Sequence, residues 1–204
     1  MAWEVLSIIG TAAFAVSGAI IAMEEEYDLF GVYMLGVVTA FGGGAFRNIL
    51  IGVPVSALWE QEMLFRIALV SITVIFLFPN RLIRHWARWG TAFDAVGLAA
   101  FAVQGAMIAV RLELGMSATI VAAVLTGAGG GMIRDLLAGR RPLVLRKEIY
   151  AVWAALAGLA VTLGADAADA GLYFVAGTVA VLRILSAKYG WRLPVRKLGI
   201  SKPE

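Results

Sequence analysis

"GTAAFAVSGAIIA", residues 10–22, returns as "GLAAFAVQGAMIA" at residues 97–109, identical at 10 of 13 positions with an offset of 87. A second pair keeps the same offset: "FGGGAFRN" (41–48) and "AGGGMIRD" (128–135). Gly42, Gly43, Gly44 and Arg47 thus correspond to Gly129, Gly130, Gly131 and Arg134, and Gly52 to Gly139. Two motifs sharing one offset mark an internal duplication.

These repeats lie in an apolar chain. Of 204 residues, 61% are hydrophobic and 15% charged, against roughly 25% charged in soluble domains. Residues 5–23, 29–46, 114–133 and 149–165 carry no charge. Each run approaches the roughly 20 residues needed to cross a hydrocarbon core. Three more runs, about 63–80, 89–110 and 170–187, each hold one charge: Arg66, Asp94 and Arg183. The expected fold is an all-α integral membrane domain with seven transmembrane helices. Glu4 replaces the basic start of a secretory signal, so the first span is expected to be retained.

Three spans per unit is an odd number, so the second copy must enter the membrane from the opposite side. The units are 1–87, an inverted copy at 88–168, and a seventh helix with a basic tail at 169–204. Such inverted 3+3 repeats occur in proteins that move solutes, with a site near the midplane between the repeats.

Orientation follows from the basic residues, which favour the cytoplasmic side. Arg81, Arg84, Arg88, Arg140, Arg141, Arg146, Lys147, Lys188, Arg192, Arg196, Lys197 and Lys202 follow spans three, five and seven. The N-terminus is therefore expected outside and the C-terminus in the cytoplasm, in a cell inner (plasma) membrane. The basic residues flank spans, so topology accounts for them and no nucleic-acid partner is expected. There is no cysteine, and the single histidine, His85, lies among arginines. Neither an enzyme constellation, a metal-ligand cluster nor a cofactor motif emerges.

Three consecutive glycines inside a span invite a broken helix. A break frees backbone carbonyls that suit a cation and amides that suit an anion. The expectation is that the second and fifth helices are broken at Gly42–Gly44 and Gly129–Gly131, with transient potassium coordination near the freed carbonyls. Close helix packing is the alternative use of small residues. Arg47 and Arg134 would each begin a half-helix, where the dipole opposes a cation, and need partners. Asp94 is preferred over Asp135 for Arg134, because sequence neighbours on a helix do not face each other. Glu60 and Glu62 are the candidates for Arg47.

The stretches "GVVTAFGGGAFRN", "FDAVGLAAFAVQGA", "LTGAGGGMIRDLLAGRRPLVLRKEIYA" and "VLRILSAKYGWRLP", with the repeat above, resemble the prokaryotic TRIC (trimeric intracellular cation) channel family, also described as putative glycine transporters. The resemblance spans nearly the whole chain. It implies a homotrimer in membrane lipid, each subunit holding its own path for monovalent cations, potassium chiefly, between the second and fifth helices. It also implies that Arg47, and Arg134 with Asp135, carry the charged motif after the glycines. Asn48 stands where the family pattern has aspartate, which removes one carboxylate from the outer end. The lysine motif that binds lipid phosphate in the animal branch is absent, so no phosphoinositide partner is expected. Two readings remain open: a potassium-permeable channel, or a secondary transporter of a small zwitterion such as glycine.

Overall fold

Asp28 starts the second helix by accepting a hydrogen bond from Gly31 N at 2.8 Å, and Gly52 ends it with φ 77°, a left-handed conformation that favours glycine. Gly139, its counterpart under the offset, has φ 68°, and the paired residues Glu26 and Glu113 have φ 57° and 55°. The same turns recur at the same offset.

The computed structural model describes residues 1–78, 86–145 and 149–194. Among these are seven α-helices: α1 (Ala2–Glu24), α2 (Leu29–Ile51), α3 (Glu62–Leu77), α4 (Trp86–Arg111), α5 (Met116–Leu137), α6 (Ala151–Thr162) and α7 (Asp169–Tyr189). Short 3-10 turns occupy Val55–Leu58, Leu143–Leu145 and Ala165–Ala167. The basic residues Arg81, Arg84, Arg146, Lys147, Arg196, Lys197 and Lys202, and His85, lie outside the described residues.

Five helices, α1, α2, α4, α5 and α7, are long and apolar enough to cross a membrane. α3 and α6 are shorter than expected. At 1.5 Å per residue, α6 is only about 18 Å long. Absence of charge set the sequence boundary at 165, but Gly164 adopts φ 98° and ends the helix.

α1 and α4 form the centre, where Phe14 and Phe101 meet edge to face with centroids 5.2 Å apart. Each ring fills the space beside the other helix's glycine: Phe101 lies against Gly10, and Phe14 against Gly97. These pairs exchange under the offset of 87. One apolar cluster joins α1, α2 and α3 and takes in Phe101 and Ala138; the other joins α4 to α7 and takes in Ala2 and Leu6 of α1. Large apolar side chains, including Phe30, Ile49, Val70, Leu136 and Phe174, face outward, as lipid-facing positions do.

The helix ends are tied pairwise. Arg140, after α5, pairs with Glu24 at 2.9 Å and Glu25 at 2.6 Å, after α1. At the opposite end, Ala2 N donates to Asp169 Oδ2 at 3.2 Å, and the Arg111 guanidinium stacks on Trp3 at 4.8 Å.

Candidate functional site

The glycine triplets do not break their helices. α2 continues through Gly42–Gly44 and α5 through Gly129–Gly131. The triplets serve instead to bring two backbones together. A Cβ on Gly43 would stand 2.7 Å from the Thr126 carbonyl oxygen and 2.9 Å from Gly130 N; one on Gly130 would strike the Thr39 carbonyl oxygen. Residue 39 meets 130 while 43 meets 126, so α2 and α5 cross antiparallel. With the carbonyls bonded inside intact helices, freed backbone groups for an ion are not available there.

Within each triplet the three positions differ. Gly42 and Gly129 flank the crossing, near Ile133 Cδ1 at 2.9 Å and Gly43 Cα at 3.1 Å. The middle glycines make the crossing. The last ones, Gly44 and Gly131, face cavities; a Cβ on either would stand 3.7 Å from the Nη2 of the arginine three residues on, an ordinary contact.

Continuity also relocates the arginines. Arg134 sits in the last turn of α5 and Arg47 about one turn before the end of α2, where the helix dipole favours a cation. Because the helices cross antiparallel, the two arginines lie on opposite sides of the crossing.

Around Arg134 the charge is balanced. Its Nε and Nη2 donate to Asp135 Oδ1 at 2.9 and 2.7 Å, and Nη1 donates to Asp94 Oδ1 at 3.3 Å and to Ser17 Oγ. Asp94 is a partner of Arg134 as expected, but the ranking that placed it ahead of Asp135 is corrected. The long arginine side chain folds back along its own helix, so the adjacent carboxylate is the nearer partner. Asp135 Oδ2 also accepts from Leu143 N at 3.1 Å, which fastens the following loop. Arg183 of α7 approaches Asp94 Oδ2 at 3.7 Å and stacks over Tyr150 at 4.7 Å. All four charged groups are buried. Asp94, Arg134 and Arg183 border a cavity of about 290 Å³ that reaches Glu24 and Arg140 at the helix ends.

Arg47 keeps the geometry and loses the carboxylates. Its Nε and Nη2 donate to Asn48 Oδ1 at 3.1 and 2.6 Å, and Nη1 donates to Thr126 Oγ1 at 3.3 Å. Asn48 Nδ2 reaches Pro54 O at 3.4 Å, fastening the next loop as Asp135 does. Ser7 holds the place of Asp94 under the offset, and Gln104 the place of Ser17; they bond each other at 2.7 Å. The candidate partners do not serve: Glu62 pairs with Arg66 on its own helix, and Glu60 lines a separate groove beside Trp3 and Ser7.

Sequence reasoning missed Arg183, Ser17 and Tyr150. Arg183 had a signal, since an ionisable residue inside a span is a functional candidate by default. Ser17 is one of the three positions where the 13-residue repeats differ. Tyr150 had no such signal.

The family model described as "Glycine transporter" matches residues 4–80 and 91–166. The chain is 65% identical to the UPF0126 membrane protein YvgT of Bacillus subtilis, over 96% of this chain and 97% of that protein. It is 38% identical to the UPF0126 inner membrane protein YadS of Escherichia coli, over 76% and 74% of the two chains. Among solved structures, it is similar to the TRIC trimeric intracellular cation channel orthologue from Rhodobacter sphaeroides. That match has TM-score 0.83 and 33% identity, covering 93% of this chain and 98% of the other. The duplicated glycine–arginine motif, the seven helices around it and these matches agree: the chain belongs to the Glycine transporter (UPF0126) family and has the fold of the TRIC channels.

Proposed function

We propose that this protein is a monovalent-cation channel, permeable to potassium, with one path in each subunit of a homotrimer in the plasma membrane. The observation that carries this reading is the pair of polar cavities on opposite sides of the α2–α5 crossing. Each is lined by a buried arginine, and between the two arginines α2 and α5 meet backbone to backbone at Gly43 and Gly130. Likeness to a protein described as a trimeric intracellular cation channel supports both the channel and the trimer. The exposed apolar faces suit lipid and neighbouring subunits. Gly42–Gly44 and Gly129–Gly131 form the constriction in this reading; Arg47, Asn48, Asp94, Arg134 and Asp135 set its charge. Permeant potassium or sodium is cargo, and no cofactor takes part.

A zwitterion transporter is the second reading, favoured by the family description and by an arginine without a carboxylate. Purified protein in planar bilayers separates the two. Discrete potassium current steps are expected. Silent bilayers together with saturable glycine uptake into liposomes would establish the transporter instead.

The inverted repeat in this reading is supported by the antiparallel crossing and the exchanged Phe–Gly pairs. The N-terminus is outside and the C-terminus cytoplasmic. Reporters fused within 140–147 and in the tail are expected to read cytoplasm, and those near 112–114 and 166–169 the outside. A cytoplasmic signal at 166–169 would overturn the inversion.

A further inference from the structure

Arg47 is the place where the two halves of the molecule fail to match. Arg134 faces two carboxylates within 3.3 Å. No acidic side chain lies within ion-pair distance of Arg47 among the described residues, and its partners are an amide and a hydroxyl. Arg47 is 3% exposed, and its guanidinium stays protonated under all ordinary conditions. An amide oxygen satisfies its hydrogen bonds without cancelling its charge, and an isolated charge out of water is costly.

The surroundings supply what a missing negative charge would need. A guanidinium has five N–H donors; three are engaged, one each on Nε, Nη1 and Nη2, leaving two. The adjoining cavity is lined by Arg47, Thr11, Gln61, Gln104 and Thr126. Thr11 is 1% exposed, and its hydroxyl finds no hydrogen-bond partner among the described residues. An orphan hydroxyl and an unneutralised cation thus line the same buried cavity, which offers hydrogen-bond donors and no negative charge. The cavity measures about 20 Å³, little more than the 10–15 Å³ that one water-sized sphere occupies. That volume fits a single water-sized or monatomic occupant.

We propose that the Arg47 cavity binds one small monovalent anion of the halide class. Chloride, bound by the free guanidinium N–H groups and the Thr11 hydroxyl, supplies the negative charge that Asp94 and Asp135 supply at Arg134. This binding does not depend on whether the protein is a channel or a transporter.

The test is thermal melting of the full chain in detergent at constant potassium, with chloride exchanged for gluconate, which is too large for the cavity. A ligand that binds only the folded state raises its stability with concentration, so saturating chloride is expected to raise the wild-type melting temperature by about 5 °C. Two variants separate a site from a general salt effect. Arg47→Gln removes the charge and is expected to lose the chloride response. Asn48→Asp builds in the carboxylate of the other repeat; it is expected to melt in gluconate where the wild type melts in chloride, and to ignore chloride. Should Arg47→Gln fail to fold, Asn48→Asp carries the test alone. Equal wild-type melting in chloride and gluconate overturns the proposal, as does an undiminished chloride response in Asn48→Asp. Stabilisation by acetate or glycine, with none by chloride, overturns the halide class and makes the site one for carboxylates.

Discussion

Gly130→Ala and Gly43→Ala are each expected to destabilise the protein by about 3 kcal/mol or more, although alanine is the better helix former. The added methyl on Gly130 meets the Thr39 carbonyl oxygen, and the one on Gly43 meets the Thr126 carbonyl oxygen and Gly130 N. Both obstacles are backbone atoms of a neighbouring helix, so no rotamer change relieves the contact. The helices must part, and the packing of Phe14 beside Gly130 is lost with them. Gly44→Ala, one residue away in the same triplet, is expected to be tolerated, because its nearest neighbours lie 3.7 and 3.8 Å off. Gly177→Ala on α7 meets nothing within 4 Å and gains up to about 1 kcal/mol of helix propensity. Melting of the four variants in detergent decides the matter. If Gly43→Ala and Gly44→Ala behave alike, the crossing does not depend on backbone contact.

The second large effect belongs to the balanced cluster at Arg134. Removing one member of a buried ion pair typically costs about 3–5 kcal/mol, since the remaining charge is left buried and uncompensated. Arg134→Gln leaves Asp94 and Asp135 with Arg183 as the only cation of the cluster. Asp94→Asn leaves Arg134 and Arg183 to share Asp135. Each single variant is expected to lower the melting temperature sharply. The double variant retains one arginine and one carboxylate, so part of the loss should return, with a coupling of about 0.5–3 kcal/mol. Strictly additive losses would mean that Asp94 does not stabilise Arg134. In bilayers the same variants report on permeation, since Arg134→Gln removes a positive charge from the cavity it lines and is expected to raise cation current per open channel.

The repeat explains why much of this was legible in the sequence. Two segments of one ancestry fold alike: α1 and α4 end at Glu24 and Arg111, and α2 and α5 begin at Leu29 and Met116, both pairs 87 residues apart. Charge-free runs located the helices, because hydrocarbon excludes ionic groups more strictly than a soluble core does. The same signal misjudged the shorter helices, since absence of charge says nothing about where a backbone turns.

What the amino-acid sequence determined by itself was the duplication, the number and rough position of the helices, and the singular status of the glycine triplets and their arginines. The tertiary structure alone decided what the triplets do. Three glycines permit a break and also permit a close approach; only the Thr39 and Thr126 carbonyls, placed by a second helix 87 residues away, select the approach. It alone decided the partners too. Asp135 was set aside because helix neighbours diverge at Cβ, yet a side chain as long as arginine returns to its neighbour when the cavity and Ser17 direct it there. Spacing records which residues share a helix face, and only the packing of α1, α4 and α7 around that face decides which charges meet.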